Sequence, residues 1–152
     1  MLSRGVINQH GALTLDNGVL RVVVLPKKGA DIYALIHVAS GVDFLVKTPA
    51  GLRPPSGQPV AHFLENYEGG WQVLLPNGND ACQYGGVTIP FHGEAALLPW
   101  EILDERDDSM ETAVRLLRKG GTAVAYGLCA LDQRASFSPF HVTSRVRKKT
   151  RK

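Results

Sequence analysis

Residues 65–101 read ENYEGGWQVLLPNGNDACQYGGVTIPFHGEAALLPWE, and this stretch decides how the rest of the chain is read. Its apolar runs are short: residues 71–75, 87–91 and 95–98, with a further run at 100–103. Between them lie turn-forming clusters, Pro76-Asn77-Gly78-Asn79-Asp80 and Tyr84-Gly85-Gly86. Asn and Gly supply backbone conformations that branched residues avoid, so each cluster reverses the chain. Short strand-like pieces at close intervals predict an antiparallel sandwich or barrel.

Working upstream, residues 12–15 and 19–25 are apolar runs separated by Asp16-Asn17-Gly18, a short hairpin connection. Val22, Val23 and Val24 are consecutive and β-branched, the pattern of a strand buried on both faces. Residues 26–29 form a second turn. Ile32, Ala34, Ile36 and Val38 then alternate with Asp31, Tyr33, Leu35 and His37, the two-residue period of a strand. Residues 42–46 give another short strand. Residues 47–59 hold four of the nine prolines and read as a loop of the length that is either functional or disordered.

Downstream, Asp104, Glu105, Asp107, Asp108 and Glu111 form an acidic cluster that reads as a solvated turn. Residues 109–119 fit two periods. Met110, Ala113, Val114 and Leu117 make a helical stripe, and Met110, Thr112, Val114 and Leu116 make a strand face, so a short helix near 109–119 stays open. Residues 122–128 read as one more strand. From residue 137 onward the chain is polar and then basic, the composition of a disordered tail.

The whole chain has 152 residues, 44% of them hydrophobic and 20% charged, the proportions of an ordinary globular domain. Its net charge of +3 is unevenly placed. Residues 141–152 carry six Lys/Arg and no acid, while residues 1–140 carry eleven basic and fourteen acidic groups. The basic character therefore belongs to the tail, which argues against a nucleic-acid partner for the body. Cys82 and Cys129 are too few for a disulfide scaffold or a cysteine-rich zinc site. His10, His37, His62 and His141 lack metal-ligand spacing, so neither a metal nor any other cofactor is expected. No apolar run reaches the ~18–20 residues of a membrane span, and no secretory leader is visible, which points to a cytoplasmic protein without a membrane partner.

The run GGWQVLLPN, the Gly-rich hairpin after it, PFHGEA and then PWE together resemble the first half of the galactose mutarotase-like superfamily, the aldose 1-epimerases and their distant relatives. The earlier LDNGVLRVVVLPKKGADIYAL and DFLVK agree with that pattern. The resemblance covers about residues 12–103, extending at most to Arg118. It implies an all-β antiparallel sandwich that is truncated: residues 1–118 a partial domain, 119–136 a divergent segment and 137–152 the basic tail. A second, weak resemblance joins residues 109–130, through Gly120-Gly121 and Tyr126-Gly127, to a helix–Gly–Gly–strand unit of medium-chain dehydrogenases. That stretch lacks the dinucleotide-binding glycine fingerprint.

The mutarotase-like resemblance also implies a chemistry, the interconversion of sugar anomers. An acid protonates the ring oxygen, a base takes the anomeric proton, and the opened ring recloses on its other face. His92 matches the histidine of the family's His-Gly motif and is the candidate catalytic residue. Trp71, Asn77, Asn79 and Glu94 are candidate sugar contacts. For each there is a plainer role: Trp71 as a core aromatic, Asn77 and Asn79 as turn formers, His92 as a turn histidine bonded to backbone. If residues 89–95 are extended, His92 and Glu94 share a face. The family's base, a late glutamate, and its second histidine have no matching motif here, so impaired or absent turnover is expected. No Lys or Arg occurs between Pro54 and Glu105, which favours a neutral aldose over a sugar phosphate. The alternatives are a non-catalytic interaction domain whose basic tail meets an acidic partner, and a fragment without function. Exposed sheet edges would favour self-association.

Overall fold

The structure is a computed structural model that describes residues 1–56, 62–84, 86–107, 111–118, 123–132, 137–138 and 143–146. Five strands form the first sheet: β1 (Leu2–Ile7), β2 (His10–Asp16), β3 (Leu20–Leu25), β4 (Asp31–His37) and β5 (Val42–Asp43). They pair antiparallel in chain order, a simple meander. A small hairpin follows, β6 (Cys82–Tyr84) against β7 (Val87–Ile89). The second sheet is built from β8 (Glu101–Asp107), β9 (Glu111–Arg118), β10 (Ala123–Asp132), β11 (Phe137–Ser138) and β12 (Thr143–Val146). Its order is β8-β9-β10-β11, with β12 also pairing to β10. The backbone of β2 comes close to β9 and β10, so the two sheets face each other.

Local chemistry accounts for the first sheet. Gly18 takes the left-handed φ of +85° that the β2–β3 turn needs. The turn is locked by its own side chains: Asp16 accepts from the Gly18 amide, and Asn17 Oδ1 accepts from those of Val19 and Leu20. The two sides of β3 are buried as the valine run implied. Leu13, Leu15, Val22, Val24, Ile32 and Trp100 pack on the inner face, and Ala12, Val23, Leu25, Ala34 and Leu52 on the outer one. An irregularity in the β3–β4 register between Val23 and Val24 accompanies this arrangement.

Trp100 is fully buried, and its indole N–H donates to the carbonyl of Ala95 at 3.0 Å. The turn after β3 receives this segment: the Trp100 amide donates to Pro26, and Gly29 sits so close to the Ala96 backbone that a Cβ there would overlap it. Gly29 is therefore a glycine of close approach.

Several expectations are corrected. The helix near 109–119 does not form; Glu111–Arg118 is β9, paired to β8 on one side and β10 on the other. An ambiguous period is resolved by neighbours on both edges, which only a strand can hydrogen-bond. Residues 71–75 are not a strand. Only isolated bridges join Trp71 to Ile32 and Leu75 to Gly93, because the Leu75 carbonyl is taken by the amides of Glu94 and Ala95. Residues 95–98 are not a strand either: Ala95–Leu97 is a single 3-10 turn. Its start follows a left-handed bend that an extended chain cannot make.

The acidic cluster is not a turn over residues 104–107. These lie in β8, where Glu105 pairs with Arg4 at 2.7 Å and Asp107 with the N-terminal ammonium at 3.1 Å. Part of the expected disordered tail is ordered into β11 and β12 by pairing with β10. The basic positions 147–149, 151 and 152 lie outside the described residues, as do residues 57–59 of the Pro-rich stretch. The remainder of that stretch is loop, anchored by buried Leu52. The β1 strand had no counterpart in the periodicity.

Candidate functional site

His92 sits at a tight bend between β7 and the 3-10 turn. Its φ of +62° is left-handed, rare for a residue with a side chain, and Gly93 follows at +74°. The bend is held from outside. The His92 amide donates to Asn79, and the amides of Glu94 and Ala95 donate to Leu75. Gly93 packs on the Leu75 carbonyl so closely that any Cβ would collide with it. Gly93 is thus a structural requirement of the bend, and the bend aims the His92 imidazole.

The ring is half-buried between aromatics, with Phe91 at 3.7 Å and Phe63 edge-on at 4.7 Å between centroids. Nδ1 lies 2.9 Å from the carbonyl oxygen of Gly78. A carbonyl can only accept, so Nδ1 carries the hydrogen, and in the neutral ring Nε2 is the free acceptor. When the ring is protonated, Nε2–H becomes a donor. This is the orientation a histidine acid needs: one nitrogen fixed to the backbone and the other available.

Asn77 serves the turn that faces His92. Its Nδ2 lies within hydrogen-bond distance of the carbonyls of Asn79, Asp80 and Pro90, at 3.2, 2.9 and 3.2 Å. It ties residues 77–80 to the approach of the His-Gly bend. Asn79 contributes its carbonyl to the His92 amide, while its side chain is exposed. Glu94 starts the 3-10 turn. The shared face expected for His92 and Glu94 required an extended chain, and the left-handed pair His92-Gly93 removes that premise. Trp71 is bridged through its backbone to Ile32, and its indole is 44% exposed, so it is a surface aromatic while Trp100 is the core one.

A second cluster had no sequence signal, because Lys28 and Asp31 lie about forty positions from Glu68 and Gln72. Lys28 Nζ donates to Asp31 Oδ2 at 2.7 Å and to Glu68 Oε2 at 2.5 Å, and Gln72 Nε2 donates to the same Asp31 oxygen at 3.1 Å. Asp31 and Glu68 are essentially inaccessible to solvent. Their outer oxygens, Asp31 Oδ1 and Glu68 Oε1, are buried without a hydrogen-bond partner. Burial pushes the Asp31 carboxyl up to about 8; Lys28 opposes this and the neighbouring Glu68 reinforces it. Two carboxylates against one ammonium leave an excess negative charge in a dry site, which a proton retained on Asp31 cancels. The cluster pins the segment carrying Glu68 and Trp71 onto β4.

The antiparallel two-sheet architecture is the fold of galactose mutarotase-like β-sandwiches. Two solved structures have this architecture. A galactose mutarotase-like protein from Clostridium acetobutylicum superposes with a TM-score of 0.57 at 15% identity, covering 87% of this chain and 45% of that one. A candidate mutarotase from Salmonella typhimurium superposes with a TM-score of 0.63 at 18% identity, covering 86% of this chain and 43% of its own. This chain therefore spans less than half the length of either neighbour, and at these identities what is shared is the fold. No family model matches the chain, and no curated protein matches it. No helix among the described residues is long and apolar enough to cross a membrane.

Proposed function

We propose that this chain is an aldose 1-epimerase-like carbohydrate-binding protein that takes a neutral aldose against the His92 bend, with Nε2 directed at the ring oxygen. The observation that carries the reading is the state of His92: fixed through Nδ1 to Gly78, with Nε2 unpartnered among the described residues. Phe63 and Phe91 beside it offer the apolar surface that a sugar's C–H face prefers. Trp71, Asn77, Asn79 and Glu94 are the further sugar contacts of this reading, though the amide nitrogen of Asn77 is already committed to the turn.

Anomer interconversion also needs a base on the opposite side of the sugar, and no described residue has been matched to that role. The reading is accordingly one of sugar recognition with impaired turnover, in a cytoplasmic protein. NMR titration with galactose and glucose tests it. Saturable shifts at His92 that disappear in His92→Gln are expected. No response to either sugar at high millimolar concentration would sink it.

Self-association belongs to the same reading. Beyond β4, the side chains of Val42, Phe44 and Val46 are 51%, 58% and 82% exposed, an apolar strip at β5 and the residues after it. From Val46 onward the backbone of this strip pairs with Glu68, Gly69 and Gly70.

A further inference from the structure

Phe63, whose ring contacts His92, also lines a cavity of about 480 Å³. The cavity shares Phe63 with the proposed sugar contact, but His92, Trp71, Asn77, Asn79 and Glu94 do not line it. Its walls are apolar in part, from Phe63, Leu97 and Leu98. Its titratable lining is entirely of the kind that carries positive charge: Lys27, Lys28, Arg53 and His10, with no Asp or Glu. That asymmetry stands out in a body whose residues 1–140 hold more acids than bases.

The four groups are not equivalent. Lys28 is neutralised from behind by Asp31 and Glu68. Lys27 and Arg53 are exposed and have no ionic partner among the described residues. The backbone that presents Arg53 is held in place. His10 Nε2 donates to the Arg53 carbonyl at 2.8 Å, and Asn8 Nδ2 donates to the adjacent Leu52 carbonyl at 2.5 Å. Asn8 and Gln9 both adopt left-handed φ values, +43° and +68°, at the tip of the β1–β2 hairpin that makes these contacts. A strained hairpin tip therefore anchors the Pro-rich loop where Arg53 lines the cavity together with the Lys27-Lys28 turn. Gln72, whose Nε2 donates to Asp31, also lines the cavity.

We propose that this cavity binds a small organic anion, its carboxylate or phosphate group held by Lys27 and Arg53 and its body lying against Phe63 and the leucines. Arg and Lys are the side chains that recognise such groups, Arg through a planar fork and Lys as a point charge. The absence of cations between Pro54 and Glu105 does not bear on this cavity, because its charges come from residues 27, 28 and 53.

The test uses the whole chain at low salt, titrated separately with inorganic phosphate, sodium galacturonate and galactose, and followed by backbone amide shifts. Phosphate or galacturonate should shift the amides of Gly11, Lys27 and Lys28 saturably at millimolar concentration, and whichever saturates first identifies the anionic group. The double variant Lys27→Gln/Arg53→Gln should weaken that response about tenfold. Arg53→Lys, which keeps the charge, should retain most of it. Because the substituted side chains are exposed, unchanged amide dispersion verifies that the variants fold. The proposal is overturned if neither anion gives a saturable response up to roughly 50 mM. It is equally overturned if the double variant responds as the parent does, or if galactose shifts these amides as strongly as galacturonate. Shifts at His92 on adding galactose report on the sugar reading alone, so the two proposals fail separately.

Discussion

Gly93 and Asp31 each show one side chain's worth of physics governing a larger region. At Gly93 a φ of +74° and contact with the Leu75 carbonyl exclude any Cβ, whereas Gly78 across the bend has open space beside it. Gly93→Ala should cost roughly 1–3 kcal/mol in urea unfolding, and Gly78→Ala should cost much less. Equal effects would show that the bend is not the constraint. Asp31 sets a pH dependence. Its carboxyl is raised from 3.8 to about 8 in the folded state, so the native protein holds a proton that the unfolded chain has released. That contribution is present in full below the unfolded value and is lost as pH rises through the folded one. Lys28, itself raised, keeps its charge across this window. Stability should decline between about pH 4 and 8 on account of Asp31, and Asp31→Asn, neutral throughout, should flatten that slope. Urea midpoints at pH 5 and 8 measure it. His92 was legible as a His-Gly dipeptide within a longer motif. Lys28, Asp31 and Glu68 were not legible together, because nothing in one-dimensional spacing signals that residues 28 and 68 share a proton-rich pocket.

The strands and turns divide according to where their hydrogen bonds go. The β2–β3 hairpin was readable because its turn chemistry is local: Asp16, Asn17 and Gly18 complete their own bonds. The β9 strand was not, since a helix and a strand both satisfied its apolar pattern and the decision rests with β8 and β10. The 95–98 segment misled for a related reason. Ala95 and Ala96 are apolar enough for a strand, but they lie beneath Gly29 and lead into Trp100. Trp100 clips this element to the sheet, and its indole N–H satisfies the Ala95 carbonyl in a dry site. Trp100→Phe should therefore destabilise by roughly 1–3 kcal/mol, mainly through the orphaned carbonyl. Thermal and urea unfolding check this, and a change within a few tenths would mean that water replaces the donor.

For the molecule as a whole, the first sheet buries apolar side chains on both faces, while Val42 and Phe44 on its β5 side stay exposed. Sedimentation velocity over a range of concentrations should show self-association, and Phe44→Lys should shift the protein towards monomer without altering its circular dichroism. A concentration-independent monomer would remove the edge from consideration. What the sequence determined by itself was the class of architecture: strands with period-two burial, Asn/Gly turns, a doubly buried valine run and the His-Gly motif. These depend on contacts within a few residues. Three-dimensional packing alone decided the strand nature of β9 and the ordering of β11 and β12. It also set the left-handed bend that orients His92, the buried Lys28–Asp31–Glu68 cluster, and the cation-lined cavity that unites residues 10, 27, 28 and 53. Each of these depends on a hydrogen bond, a desolvation or a charge contact between residues tens of positions apart, and such terms have no magnitude until the chain has brought the partners together.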